Sequence, residues 1–277
     1  MLNKPQFQQF EFWKRLVLGL VALDLIYLFY SGLSIHQLFD SPFHFKGLDP
    51  SFWLLESSGL INLICANSHS AYFFEGLLFL SLCLSIGFID QRIWVMLFGL
   101  CLLVYQIVFN YKLGYHTHHL FGLQFALFPF YFNAKNRSMA FNFSRFMLCL
   151  TYFMAGVFKW IGAAYLHVDN LSNTLQSQHA AYWHFYPEGF RISWLKFFMA
   201  HPYISNGVFV MAVLMQSAFV IGFFTKRWDR LLMVFLCLFH LMDWALMNLG
   251  IFMGMSIMAY LFVMPRGLMD FEASKKS

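Results

Sequence analysis

Long apolar segments alternate with short polar segments along most of the chain. Eight apolar segments can be drawn, over residues 15–34, 71–89, 93–111, 118–133, 144–166, 205–224, 231–247 and 250–264. A helix needs roughly 20 mainly apolar residues to cross the hydrocarbon core of a bilayer. The last two segments are shorter and could form a tight hairpin around residues 248–250. The pattern predicts an all-α, polytopic integral membrane helix bundle with about eight transmembrane helices.

The composition supports this prediction. Hydrophobic residues make up 60% of the 277 residues and charged residues only 11%, whereas a soluble domain carries roughly 25% charged residues. We therefore expect one membrane domain over residues 1–277, with two longer polar and aromatic connections at 35–70 and 167–204. We interpret the first apolar segment as a transmembrane helix and not as a cleaved signal peptide.

The basic residues predict the orientation of the chain. With a cytoplasmic N-terminus, 13 lysines and arginines fall in inner segments and four in outer segments. This bias predicts that both termini are cytoplasmic and that connections 35–70 and 167–204 lie outside. Since the basic residues are spread over short loops, the net charge of +5 indicates contact with membrane lipid and no nucleic-acid partner.

Histidines concentrate on the predicted outer side, which holds ten of the eleven. The densest group comprises His116, His118 and His119. A helix would place His116 and His119 on one face. The group could handle protons or hydrogen-bond a substrate, bind a metal, or lie at the interface without chemistry. No cysteine or carboxylate ligand lies nearby in the sequence, so we predict no metal site.

Lys159 is the only charged residue in the apolar run 146–166. A lysine at membrane depth is costly unless it faces a partner, a water-filled cavity or a substrate. Desolvation favours its neutral amine, which could then act as a base. Alternatively, the side chain extends to the outer interface and keeps its ammonium in water.

Three acids also fall inside predicted spans, namely Asp24, Glu75 and Asp243. Glu75 could pair with Lys159, either in catalysis or as a structural ion pair. Asp243 lies three residues after His240, so the two side chains share a helix face. They could form an acid-oriented imidazole or a simple buried hydrogen-bonded pair.

The outer connection 167–204 contains a second helical pattern. Residues 190–199 predict an amphipathic helix at the membrane interface. Its apolar residues are Phe190, Trp194, Phe197 and Phe198, and its polar residues are Arg191 and Lys196. This helix could cover an outer cavity as a lid, or only anchor the chain to the interface.

Three short stretches carry a resemblance to a known family. Residues 152–160 (YFMAGVFKW) resemble the Tyr-Phe-x-Ala-Gly-Val-Lys-Lys-Leu stretch of vitamin K-dependent γ-glutamyl carboxylases. Residues 239–242 (FHLM) with 249–252 (LGIF) resemble the Phe-His…Ile-Gly-x-Phe signature of the horizontally transferred transmembrane domain (HTTM) family. Residues 119–122 (HLFG) resemble the family's Asn-His-x-Tyr-Leu-x-Gly stretch.

The match departs from the family at two positions. Phe158 stands where the carboxylases have the first lysine of their pair, and Thr117 stands where they have a histidine. The second lysine of the pair, the family's proposed catalytic base, corresponds to Lys159.

The resemblance implies a specific reaction. A neutral lysine takes a proton from a reduced vitamin K or menaquinol-type quinone, and reaction with O₂ then provides a strong base. That base removes the γ-proton of a glutamate, and CO₂ adds at the resulting carbanion. In this interpretation Lys159, His116, His118 and His119 are candidate catalytic residues. Candidate cofactor-binding residues are Glu75, Trp160, His240 and Asp243.

The implied substrate is a secreted or membrane peptide, modified at the outer face of a bacterial inner membrane. A second hypothesis is a peptide-toxin maturation factor or chaperone that binds its client without chemistry. A third is a transporter of protons or small solutes that uses Lys159, Glu75 and the histidines as a relay. Transporters often carry an inverted repeat or interrupted helices, and the sequence shows neither pattern.

Overall fold

A computed structural model of the chain describes residues 4–30, 32, 34–38, 50–88, 90–113, 118–178, 190–247 and 258–263, and all regular structure in them is helical. The helices are α1 (Lys4–Tyr30), α2 (Pro50–Ser57), α3 (Leu60–Ile64), α4 (Ser68–Gly87), α5 (Arg92–Leu113), α6 (His118–Leu127), α7 (Ala134–Ile161), α8 (Asn170–Gln178), α9 (Phe190–Ala200), α10 (Pro202–Ser217), α11 (Ile221–Phe224), α12 (Asp229–Met247) and α13 (Tyr260–Val263). Short 3-10 turns occupy Phe128–Tyr131, Ala164–Leu166 and Ala218–Val220. The predicted all-α class is confirmed for the described residues.

Among the described residues, four helical stretches are long and apolar enough to cross a membrane. They cover Ser68–Gly87, Arg92–Phe109, Lys135–Ile161 and Pro202–Phe224. The predicted spans 71–89, 93–111, 144–166 and 205–224 correspond to these four stretches. Their length and composition are those of an integral membrane protein.

The helix that carries Lys159 differs from its predicted span. The prediction placed it at 144–166, but α7 begins at Ala134 and ends at Ile161. Ala163 then adopts a left-handed backbone conformation with φ of 48°. A right-handed helix cannot continue through a residue in this conformation. Lys159 therefore lies in the last turn of α7, where the partial negative charge of free carbonyls favours a cation.

The chain forms two compact units, Met1–Ser144 with Met253–Ser277, and Arg145–Phe252. In the first unit, α1, α4 and α5 contribute an apolar core. Its fully buried side chains include Val17, Leu18, Leu78, Val95 and Phe98. Tyr260 of α13 joins this unit by donating a hydrogen bond of 2.6 Å to the carbonyl of Ala126.

In the second unit, one arginine connects the start of α12 to the end of α11. Arg145 is 5% exposed and makes a two-pronged ion pair with Asp229. It also donates to the carbonyls of Gly222 at 2.8 Å and Thr225 at 3.1 Å. Arginine suits this role because its planar group carries five donors in a fixed geometry.

A glycine lets α7 and α10 approach closely in the same unit. A Cβ atom on Gly156 would lie 3.0 Å from the backbone nitrogen of Ser217 and 2.9 Å from its hydroxyl oxygen. Real Cβ atoms almost never come this close to another backbone. Small residues have this role in many membrane helix pairs, and here they place Lys159 next to α10.

Helix α9 confirms the predicted helix at 190–199, and its burial pattern shows which side chains pack against the protein. Ile192 and Leu195 are fully buried, whereas Trp194 is 49% exposed and Phe197 is 40% exposed. Ile192 and Leu195 pack with Leu171, Leu175 and Leu246 in one apolar cluster. Phe198 packs against the same cluster. Thus α8 and α9 are held against the C-terminal end of α12, and Trp194 and Phe197 face outward.

Candidate functional site

Lys159 lies in a group of polar side chains in the second unit. Its ammonium nitrogen donates a hydrogen bond of 2.7 Å to Oε1 of Gln216. Gln216 is only 3% exposed. The amine therefore points toward α10, into the protein. The alternative of a lysine whose head group extends to bulk water does not fit this partner.

Two further groups surround the Lys159 amine. Its nitrogen lies 5.3 Å from the centre of the Phe239 ring, which fits a cation–π contact. The carboxyl group of Asp243 lies near enough to interact with it electrostatically. The Lys159 side chain thus meets an amide oxygen, an aromatic face and an acid.

Tyr152, His240 and Asp243 form a chain next to this lysine. The Tyr152 hydroxyl and His240 Nε2 are hydrogen-bonded, and His240 Nδ1 lies 3.7 Å from Oδ2 of Asp243. Tyr152 and His240 are both buried. A nearby carboxylate favours a proton on Nδ1, which leaves Nε2 to accept from the tyrosine.

Trp160 is positioned by its own hydrogen bond to α10. Its indole nitrogen donates to the Ser217 hydroxyl at 2.8 Å, and that hydroxyl donates to the carbonyl of Val213 at 2.8 Å. Consecutive residues of α7, Lys159 and Trp160, therefore bind consecutive residues of α10, Gln216 and Ser217. The close approach at Gly156 makes this double contact geometrically possible.

This arrangement can accept and pass protons. A lysine amine can take a proton when it is neutral, and a buried amide acceptor orients it without supplying a full negative charge. Asp243 interacts electrostatically with the amine and lies 3.7 Å from His240 Nδ1, so its carboxyl group adds a titratable acid beside both groups. We therefore regard Tyr152, Lys159, Gln216, His240 and Asp243 as the candidate site.

Sequence reasoning found three of these five residues and missed two. Lys159, His240 and Asp243 were predicted as candidates, and the structure places them close together. Gln216 was missed, although an amide within the apolar run 205–224 is the signal that could have found it. Tyr152 was noted only as part of a family-like stretch, and nothing local predicts its hydrogen bond to a residue 88 positions away.

Glu75 has its described partners inside the first unit. Its carboxyl group accepts a hydrogen bond of 2.6 Å from the backbone nitrogen of Ile35 and is hydrogen-bonded to Nδ1 of His36. The His36 ring stacks on Tyr72 with a centroid distance of 3.9 Å. These contacts give Glu75 a structural role within that unit, while its predicted pairing with Lys159 stays a prediction.

The histidine group at the start of α6 is only partly described. His116 lies outside the described residues, and the structure gives the helical backbone of His118 and His119 without a description of their side chains. Their predicted catalytic role stays a prediction. Among the described residues, no group of three or more histidine, cysteine, aspartate or glutamate side chains could hold a metal ion.

Comparisons with known proteins do not identify a family for this chain. No protein-family model matches it, and neither a curated protein nor a solved structure is found to be similar.

Proposed function

We propose that the chain is a carboxylase-like membrane enzyme that modifies a secreted or membrane peptide, with Lys159 as its base. The observation that carries this proposal is the position of the Lys159 amine. It lies in a helix apolar enough to span a membrane and hydrogen-bonds to a neutral, buried acceptor, Gln216. A general base needs an amine that can be neutral at the working pH.

The contacts of Lys159 favour a base over a structural ion-pair partner. A lysine kept for structure inside a membrane is normally paired with a carboxylate. Here the hydrogen-bonded partner is an uncharged amide, and the closest acid, Asp243, also faces His240 at 3.7 Å. The acid is therefore shared, which suits proton exchange better than a fixed pair.

The residues around Lys159 fit a quinol of the vitamin K or menaquinone type. In this proposal the half-buried Trp160 would contact the flat ring, and the amine would accept a hydroxyl proton. When bound, such a quinol would supply the O₂-dependent oxidation that glutamate carboxylation by CO₂ requires. Lys159 would take its proton, and Gln216 would orient the amine.

The same proposal includes a location. We infer about eight transmembrane helices, both termini in the cytoplasm and modification at the outer face of a bacterial inner membrane. The bias of basic residues supports this orientation. The short helices α8 and α9, which pack at the end of α12, would then form an outer layer next to the end of α7.

The chain from Tyr152 through His240 to Asp243 favours a second candidate function. Hydrogen-bonded acids and histidines inside membrane helices often carry protons in pumps and transporters. In that function Lys159 would exchange protons with Asp243 during transport of a solute or of protons alone. Such a protein would acidify or alkalinise the lumen of sealed vesicles, and it would leave peptides unmodified.

Mass spectrometry can test the enzymatic proposal on the whole set of peptides in a membrane preparation. Membranes that contain the wild-type protein would be incubated with a reduced menaquinone, O₂ and isotope-labelled bicarbonate. We expect glutamate-containing peptides that gain the mass of one labelled CO₂, and no such peptides with Lys159→Ala. Lys196→Ala, which removes an exposed lysine of α9, is the matched control and should stay active.

Two results would contradict the proposal. Labelled peptides that persist in Lys159→Ala membranes would remove Lys159 from the chemistry. A complete absence of label with the wild type, together with binding of a peptide client, would instead identify a maturation factor or chaperone that performs no reaction.

A further inference from the structure

A group of basic side chains lies in the first unit, and it includes none of the candidate site residues. It forms where the N-terminal part of α1 meets the starts of α5 and α7. Lys14 interacts electrostatically with Arg137, and Arg137 interacts likewise with Arg92. Three cations from three helices therefore converge at one end of this unit.

Arg137 has an unused donor in this group. Its Nε is buried and has no hydrogen-bond partner among the described residues. Its guanidinium lies over the Phe10 ring, 3.5 Å from the centroid. A buried donor without an acceptor is unfavourable, so this nitrogen marks a position where a bound acceptor would be favourable. Because arginine forks match phosphate geometry, a phosphate oxygen is a suitable acceptor.

Lys14 contributes a second cation that is shielded from water. It is 2% exposed, and burial, together with the charge of Arg137, lowers its pKa to about 8. Two carboxyl groups, Glu11 and Asp90, also lie close to Lys14. Burial and a hydrogen bond with Asp90 raise the pKa of Glu11, so these acids interact with each other as well as with the cations.

The balance of charge leaves this region positive. Four cations, Lys14, Arg15, Arg92 and Arg137, and two acids, Glu11 and Asp90, are linked by electrostatic contacts among the described residues. Arg92 is exposed, whereas Lys14 is buried. The exposed Arg92 is therefore the cation of this group that a ligand can reach directly from outside the protein.

We propose that this basic group, formed by Lys14, Arg92 and Arg137, binds the phosphate group of an anionic phospholipid. Basic pockets between membrane helices are suited to such head groups, because the phosphate neutralises the cations while the acyl chains lie along apolar helix surface. Exposed apolar residues such as Phe12 and Ile93 flank the group on α1 and α5 and provide that surface. These three cations and the neighbouring Arg15 belong to segments that the charge bias predicts on the inner side of the membrane. Anionic lipids of that leaflet attract basic residues.

The test uses the purified full-length protein in detergent after removal of bound lipid. Phosphatidylglycerol, phosphatidylcholine and inorganic phosphate are added in separate titrations, and binding is followed by native mass spectrometry and by the melting temperature. We expect phosphatidylglycerol to bind and raise the melting temperature, and phosphatidylcholine to do neither. Arg137→Gln and Arg92→Gln should each weaken phosphatidylglycerol binding roughly five- to tenfold.

Lys135→Gln is the matched control, because it removes one exposed positive charge from the same first turn of α7. It should bind phosphatidylglycerol like the wild type. Arg92 is exposed, so its variant should fold even if Arg137→Gln does not. The proposal would be wrong if phosphatidylglycerol and phosphatidylcholine bound equally well. It would also be wrong if Lys135→Gln and Arg92→Gln weakened phosphatidylglycerol binding to the same extent. If inorganic phosphate stabilises the protein as much as phosphatidylglycerol does, and the same variants weaken both effects, the ligand is a free phosphate and the proposal of a lipid ligand is wrong.

Discussion

The chemistry of Lys159 depends on the kind of group that meets its amine. A carboxylate at hydrogen-bond distance would hold the ammonium in its charged form. The structure instead places the amide oxygen of Gln216 at 2.7 Å and shares the Asp243 carboxyl with His240. The amine is thus oriented by a neutral hydrogen-bond acceptor and interacts electrostatically with a nearby acid.

Substitutions of Lys159 can distinguish a catalytic base from a lysine whose charge only stabilises the structure. We expect both Lys159→Ala and Lys159→Arg to abolish peptide modification, because alanine has no amine and arginine is effectively never deprotonated. Both variants should remain folded in the membrane. Activity is read by label incorporation, with expression and melting temperature as controls. A fully active Lys159→Arg protein would contradict the base mechanism.

Gln216 offers a second test at the residue scale. Gln216→Glu replaces the neutral acceptor with a carboxylate of nearly the same shape, and this would favour the charged ammonium of Lys159. We expect a folded protein whose modification activity falls at least tenfold, roughly the effect expected when general-base catalysis is impaired. The measurement is the initial rate of label incorporation as a function of pH.

In the Gln216→Glu variant the remaining activity should increase toward higher pH, because deprotonation of the paired lysine then becomes easier. Gln216→Met is the companion variant, since it removes the hydrogen bond without adding charge. Unchanged activity of Gln216→Glu across the pH range would show that Lys159 does not need its neutral form.

At the scale of elements, the site depends on how closely α7 approaches α10. Gly156 contacts Ser217 and Gln216 directly, and the two hydrogen bonds from Lys159 and Trp160 follow within the next turn of α7. Tyr152 stacks on Phe219 one turn earlier, with centroids 4.9 Å apart. The helix pair is thus held by small-residue packing flanked by polar and aromatic contacts.

Gly156→Ala should disturb this helix pair. Its new Cβ would meet backbone, which cannot move as easily as the end of a side chain, so we expect a loss of about 1–3 kcal/mol in stability. We also expect lower activity, because the Lys159–Gln216 contact lies next to the clash. The melting temperature in detergent and the rate of label incorporation check both effects.

Gly207→Ala is the matched control for that substitution. Gly207 also lies in α10, but a Cβ there would meet no atom within 4 Å. Alanine favours helix over glycine by roughly 1 kcal/mol, so this variant should melt at the same temperature as the wild type or higher. If Gly156→Ala and Gly207→Ala lower the melting temperature equally, close packing at Gly156 does not stabilise the contact between α7 and α10.

At the scale of the whole molecule, the predicted orientation can be tested by labelling. Single cysteines at Ala66 and Asn173 are suitable because both residues are exposed and lie in the predicted outer connections. The neighbouring Ser172 is unsuitable, since it is 7% exposed. In a background that lacks the five native cysteines, we expect a membrane-impermeant maleimide to label both positions in intact cells.

A third cysteine at Lys226, in a predicted inner loop, should react only after lysis. The opposite result, with Lys226 labelled in intact cells and the other two positions protected, would reverse the orientation. The histidines and the end of α7 would then face the cytoplasm, and modification of a secreted peptide at the outer face would be excluded.

The sequence alone was enough to predict the class of the protein and much of its helical layout. Apolar runs of membrane-spanning length, interrupted by a few charges, cannot form stable soluble elements, and they predicted helices that the structure contains. Lys159, His240 and Asp243 stood out because charged or titratable side chains are rare in such runs. These are local signals, carried by composition and by spacing along one helix.

The tertiary structure decided which of these residues meet. The Lys159–Gln216 contact joins positions 57 apart, and Tyr152–His240 joins positions 88 apart; no periodicity within one segment can encode such distances. Tertiary packing also decided which side chains of α9 are buried, because packing selects the side chains that fit the partner surface. Here the compact Ile192 and Leu195 fill the core, while Trp194 and Phe197 face outward.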